Sequence, residues 1–130
     1  MSPLDALGLP GLTDDLERIE AGLRSSVAHA DPFLGEVAGH LVSAGGKRLR
    51  PALTIVAAAA CGGASTPARP EVITGGCSVE LVHLGSLYHD DVIDEAETRR
   101  GVESVNARWS NIVAILAGDF LLARASELAA

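Results

Sequence analysis

From Pro70 to Glu95 the chain reads as one long helix, and no other feature limits the possible folds so strongly. Its apolar residues, Val72, Val79, Leu81, Val82, Leu84, Leu87, Val92 and Ile93, follow helical intervals rather than the alternation of a strand. Gly75 and Gly76 lie inside this stretch. Each costs about 1 kcal/mol against alanine in a helix interior, so close packing of another helix is expected there as compensation.

The remaining segments supply such helices. Thr13 reads as an N-cap with Asp14, Asp15 and Glu17 in the first turn, where the helix dipole favours negative charge, and the helix should run to about His29. Asp31-Pro32 is a second cap-plus-proline start, followed by Phe33, Val37 and Leu41 at helical spacing and broken at Ser43-Ala44-Gly45-Gly46. Pro51 opens PALTIVAAAAC, which has no polar face after Thr54 and so reads as a helix buried on all sides. Gly62-Gly63 stops it, and residues 64–69 form a small-residue loop. A polar loop, Glu97–Ser104, leads to a last helix near Asn106, which shows no stop signal through LLARASELAA. Residues 1–12, with proline and glycine at short intervals, read as a loose lead-in. With no period-2 pattern of useful length and no repeat, the fold class is all-α: about five helices in one partial domain over 13–130.

Composition agrees. Apolar residues make up 48% of the chain and aromatics only 3%, so the core is built from Ala, Leu and Val, of which Ala and Leu lose little on entering a helix. A net charge of −7 argues against nucleic-acid binding and against an anionic membrane surface. Cys61 and Cys77 lack metal-ligand spacing and read as two small buried residues of a reduced, cytoplasmic protein. The first twenty residues have no basic start or apolar core of a signal peptide, and Ala52–Cys61 is too short to span a bilayer.

Chemistry concentrates in two segments. In His89-Asp90-Asp91-Val92-Ile93-Asp94-Glu95, helical spacing brings Asp90, Asp91 and Asp94 towards one face. Mutual repulsion makes that costly unless a cation neutralises it. Mg²⁺ suits the site because it takes oxygen ligands, keeps several waters and bridges to phosphates. A solvated acidic helix face would look the same in isolation. Two features add weight: His83, two turns before Asp90 on its side of the helix, and Arg99-Arg100-Gly101 just beyond, whose guanidinium forks match diphosphate oxygens. The second segment is Gly45-Gly46-Lys47-Arg48-Leu49-Arg50-Pro51. Its glycines permit close backbone approach, and Lys47 and Arg50 can converge on an anion. A helix C-cap followed by ordinary basic surface residues is the alternative.

Taken together, GGKRLRP, ELVHLGSLYHDDVIDEAETRRG and NARWSNIVAILAGDFLLARA resemble the N-terminal portion of the trans-prenyl diphosphate synthases, in that family's order and at about its spacing, over roughly residues 20–130. The resemblance implies the first part of an isoprenoid-synthase-type helical bundle. It also implies Mg²⁺-dependent head-to-tail condensation of isopentenyl diphosphate onto an allylic diphosphate: the allylic diphosphate ionises to a carbocation, which the isopentenyl double bond attacks. On this basis Asp90, Asp91 and Asp94 hold Mg²⁺ on the allylic diphosphate, Arg99 contacts that diphosphate, and Lys47, Arg50, His83 and Arg100 form the isopentenyl diphosphate pocket. Gly118-Asp119 matches a segment with a packing or supporting role. Gly85 and Ser86, five and four positions before Asp90, leave the floor of the product tunnel open and imply a medium-to-long polyprenyl product, unless Gly85 is only a helix-packing contact. A terpene cyclase shares the aspartate motif, but GGKRLRP and Arg100 point to a second diphosphate substrate.

The family's second aspartate-rich motif, Lys-Thr pair and Phe-Gln pair have no counterpart in these residues. The resemblance therefore implies one wall of a two-walled cavity, with no turnover by these residues alone. Three readings stay open: a stretch of a longer synthase, homodimeric when whole; a chain that works with a separate complementary chain; and a non-catalytic subunit or remnant that retains a diphosphate site.

Overall fold

The computed structural model describes residues 5–63 and 65–130; the lead-in at 1–4 and the loop position 64 lie outside them. A short 3₁₀ turn, Asp5–Leu7, precedes α1 (Leu12–Val27), α2 (Pro32–Ala44) and α3 (Leu49–Ala58). A π-type turn over Ala59–Gly63 ends α3 and is followed by α4 (Pro70–Ile93). A small hairpin of β1 (Thr98–Arg99) and β2 (Val102–Glu103) then leads through α5 (Val105–Arg108) to α6 (Asn111–Ala129).

Helix starts follow local chemistry, not always at the expected residue. Asp31 caps α2, its Oδ1 accepting from Phe33 N at 2.9 Å and Leu34 N at 3.4 Å, with Pro32 at the first helical position. Thr13 does not cap α1. Gly11 takes the N-cap with φ 75°, and no side chain accepts from the first turn. The expected last helix is two helices, because Ser104 and Ser110 each cap a start, accepting from Ala107 N at 3.2 Å and Val113 N at 3.1 Å. The hairpin stands where a polar loop was expected. Its two turn residues, Arg100 at φ 54° and Gly101 at φ 77°, have the positive φ that suits the twist of a two-residue hairpin.

α4 is the central element, flanked by α1, α3 and α6. On the α1 side, a Cβ on Gly22 would lie 2.6 Å from Cys77 Sγ, and one on Gly76 would lie 2.7 Å from Ile19 Cδ1. Gly76 also faces Pro51 of α3, and Gly75 faces Thr54, so the paired glycines let two helices approach α4. On the α6 side, Ser78 Oγ donates to Ala125 O at 2.9 Å, while His89 lies against Ile115 O at 3.0 Å. These pairings make α4 and α6 antiparallel. They cross most closely at Gly85 and Gly118, where a Cβ on Gly85 would stand 3.0 Å from Gly118 O. Tyr88 is buried and ties α4 to α2, its hydroxyl donating to Val37 O at 2.7 Å.

Two expectations from hydropathy are corrected. In α3 only Pro51, Ala52 and Ile55 are buried, while Leu53 and Ala57 face solvent, because α3 meets α4 and α1 on one side only. Cys61 is exposed; Cys77 is buried, and burial pushes its thiol up to about 11, so it behaves as a small apolar residue. Among the described residues no helix is long and apolar enough to cross a membrane.

Candidate functional site

α4 ends at the acidic motif. Asp94 N donates to Asp90 O at 2.8 Å in the last helical turn, Asp94 is the C-cap, and Glu95 leaves the helix with φ 52°. Asp91 O accepts from Ala96 N at 2.9 Å, which folds the chain back, and Asn106 Nδ2 closes the same corner by donating to Ala96 O at 2.9 Å. Ser104 Oγ donates to Ala96 O at 2.6 Å. The hairpin is thereby stapled beneath the end of α4, and this places Arg99 alongside the aspartates.

The three carboxylates do not share one exposed face. Asp90 and Asp94 are exposed, one helical turn apart, whereas Asp91 is only 1% exposed. Both Asp91 oxygens are taken by Arg99, with Nε at 2.8 and 2.9 Å and Nη2 at 2.6 Å, while Asp90 lies 3.9 Å from Nη2. The physical reason is the hairpin: it brings a guanidinium to the inner side of the helix end, and a buried carboxylate demands such a partner. Among the described residues no three His, Cys, Asp or Glu side chains are gathered into a metal-holding cluster. Two exposed carboxylates, Asp90 and Asp94, still fit Mg²⁺, which is held by one or two carboxylates, waters and substrate phosphates rather than by an all-protein cage.

Further up α4 is a cationic recess. Gly46, Lys47, Arg48, Leu49, Arg50, Glu80, His83 and Arg100 line it, so all four residues assigned to the second pocket from the sequence meet there. Lys47 and Arg50 are exposed and, among the described residues, make no ion pair. Arg100 is partly committed to the protein: Nη1 donates to Gly45 O at 2.5 Å and to Leu41 O at 3.4 Å, and Nη2 lies 3.9 Å from Glu80. Burial, then the charges of Arg50, Arg100, Arg99 and Arg48, hold the His83 imidazole below the usual histidine range. The shift favours the uncharged imidazole, which can donate one hydrogen bond in a strongly positive field.

Two residues of this site escaped the sequence reading as contributors to the recess. Arg48 reads as one more base in a basic run, yet it is buried between α1 and α4. Glu80, 2% exposed, faces Arg48 and Arg100; burial raises its pKa, and the nearby Arg48, Arg100 and Arg50 oppose that rise. The signal available for Glu80 was its position one helical turn before His83. Gly85 packs against α6, where a Cβ would stand 3.0 Å from Gly118 O and from Leu122 Cγ, as its helix-packing alternative expects. Ser86 is exposed, one turn before Asp90. Gly118 admits the ring of His89, whose Nε2 stands 3.2 Å from Asp119 Oδ1.

Comparison with known proteins adds an independent line. The family model described as Polyprenyl synthetase matches residues 31–130. A nonaprenyl diphosphate synthase of Mycobacterium tuberculosis is 43% identical over 126 residues, covering 97% of this chain and 37% of that protein. A heptaprenyl diphosphate synthase component 2 of Geobacillus stearothermophilus is 43% identical over 116 residues, covering 89% and 35%. The crystal structure of a polyprenyl synthase from Caulobacter crescentus, complexed with calcium and isoprenyl diphosphate, superposes with a TM-score of 0.81 at 36% identity, covering 90% of this chain and 34% of that one. The chain thus spans little more than a third of the length of these relatives.

Proposed function

The chain belongs to the polyprenyl synthetase family, and from that premise we propose that it forms one wall of a Mg²⁺-dependent polyprenyl diphosphate synthase. Two sites of opposite chemistry on one face of α4 carry this reading. His83 and Asp90 are seven residues apart, two turns along the same side, or about 10 Å at 1.5 Å per residue. That interval suits two diphosphate substrates lying side by side, one on cations and one on carboxylate-held metal.

In this assignment Lys47, Arg50, His83 and Arg100 receive isopentenyl diphosphate, and Arg99 holds the allylic diphosphate. Asp90 and Asp94 are the metal ligands. Asp91, expected from the sequence as a third ligand, instead orients Arg99. Mg²⁺ bound there would supply positive charge to the oxygens of the departing diphosphate. The allylic C–O bond breaks with its electrons on the diphosphate, the isopentenyl double bond attacks the resulting cation, and the new cation gives a proton to the released diphosphate to restore the alkene. Arg99 and His83 would orient the two diphosphates, each by hydrogen bonds to phosphate oxygens.

The reading extends to a medium-to-long product, supported by the small exposed Ser86 one turn before Asp90 and by the product lengths named for the nonaprenyl and heptaprenyl relatives. A cytoplasmic location is supported by two free thiols and the net charge of −7. In a first reading the remaining wall would come from a longer polypeptide, homodimeric when whole, as the greater length of the relatives supports. A second reading, in which a complementary chain supplies it, is favoured by the name of the component 2 relative. The exposed Ile112, Ile115 and Leu116 of α6 suit either kind of partner.

Replacing Lys47 or Arg50 with alanine in the complete enzyme is expected to raise KM for isopentenyl diphosphate about 10- to 100-fold, as loss of a charge-assisted hydrogen bond of ~1.5–3 kcal/mol implies. KM for the allylic diphosphate should change far less. Steady-state kinetics with each substrate varied in turn checks this, and an unchanged isopentenyl diphosphate KM would remove the recess from the site.

A further inference from the structure

We propose that Arg48 is the positioning residue of the cationic recess, holding the loop that presents Lys47 and Arg50 from beneath; this rests on the diphosphate reading of that recess. Arg48 stands between two exposed bases, yet it is 7% exposed itself. Its backbone is left-handed, with φ 51° and ψ 40°, a conformation that costs a non-glycine residue roughly 1–2 kcal/mol. A buried charge on a strained backbone persists only where surrounding contacts over-determine it.

Those contacts span three helices. Nε donates to Glu20 Oε1 on α1 at 2.5 Å, and Nη2 donates to Glu20 Oε2 at 3.3 Å. Nη1 reaches Glu80 Oε1 on α4 at 3.4 Å, and Nη2 donates to Val42 O at the end of α2 at 3.1 Å. The Arg48 carbonyl accepts from Ala52 N at 3.1 Å in the first turn of α3. The left-handed turn thus sends this side chain inward and leaves its neighbours outside. Arg100 secures the loop from the other flank: besides bonding Gly45 O, its guanidinium lies against Gly46, where a Cβ would stand 3.0 Å from Cζ. Glu80 is common to both arginines.

Arg48 is not a diphosphate ligand in this account, because four of its five N–H donors go to Glu20, Glu80 and Val42 O and its side chain is buried. Its effect reaches the substrate through the placement of Lys47 and Arg50. Lysine cannot take its place, since an ammonium lacks the fork that grips two carboxylates at once.

The test is a comparison of Arg48→Met, Arg48→Lys and Glu20→Gln in the complete enzyme. Arg48→Met and Arg48→Lys are both expected to raise KM for isopentenyl diphosphate about tenfold, and Glu20→Gln about threefold, with kcat and the allylic diphosphate KM within about twofold. A purely structural role would lower kcat in proportion to the folded fraction and leave both KM values unchanged, and that result overturns the proposal. If Arg48→Met does not fold, Glu20→Gln decides, because Glu20 is the outer, part-exposed arm of the clamp. Lys47→Ala and Arg50→Ala separate the two failures. If those raise the isopentenyl diphosphate KM while Arg48→Met does not, the positioning role fails alone; if none does, the recess reading fails with it.

Discussion

In the complete synthase, Asp90→Ala is expected to abolish prenyl transfer at saturating diphosphates and Mg²⁺, lowering kcat by about a thousandfold or more. The magnitude follows from charge development. The allylic C–O bond cannot break until negative charge on the leaving diphosphate is neutralised, and losing about 4 kcal/mol of that stabilisation is a thousandfold in rate. Asp90 is the exposed carboxylate of the motif nearest Arg99, and the pair it makes with Arg99 Nη2 is long, at 3.9 Å, and solvent-exposed on the Asp90 side. Removing it should therefore leave the fold intact, with an unchanged thermal midpoint. Asp94→Ala should fall in the same direction. Measured turnover of labelled isopentenyl diphosphate by Asp90→Ala at the wild-type rate would sink the assignment of the aspartates.

The second large effect concerns stability. Arg99→Met should lower the unfolding free energy by about 2–4 kcal/mol, because it strands the Asp91 carboxylate in the interior without a counter-charge. The lower part of the buried-pair range applies, since Arg99 keeps 27% of its side chain exposed while Asp91 keeps 2%. Asp91→Asn should cost less, as the freed guanidinium can hydrate. The double variant Arg99→Met/Asp91→Asn should recover part of the loss. Denaturant unfolding of the four proteins completes a double-mutant cycle, and a coupling near zero would mean that Asp91 is not held by Arg99.

These two aspartates show how far the sequence could be read. Helical spacing made the acidic cluster visible, because residues three and four apart on a helix are neighbours whatever the fold. Which carboxylate turns inward depends on Arg99, and Arg99 reaches Asp91 only because Arg100-Gly101 makes a tight turn stapled by Ser104 and Asn106. No periodicity records that. Arg48 was hidden for a similar reason: its burial is decided by Glu20 and Glu80, on helices 28 and 32 residues away. Four members of the recess, Lys47, Arg50, His83 and Arg100, were grouped by the family resemblance, and they do meet.

Hydropathy misled in a different way. The apolar run of α3 tells what its surface would prefer, not how much of it the neighbouring helices can reach, and one flank stays exposed. The paired glycines of α4 were read correctly as packing contacts because the cost of glycine in a helix is a local property. Gly85 needed the structure, since only the position of Gly118 on α6 shows which way it faces.

The end of α4 is expected to bind a diphosphate through metal held by Asp90 and Asp94. Calorimetric titration of the complete enzyme with a non-ionising thio analogue of an allylic diphosphate, with and without Mg²⁺, tests it most directly. Binding should depend on Mg²⁺ in the wild type, and that dependence should vanish in Asp90→Asn/Asp94→Asn; an equal Mg²⁺ dependence in both proteins would contradict it.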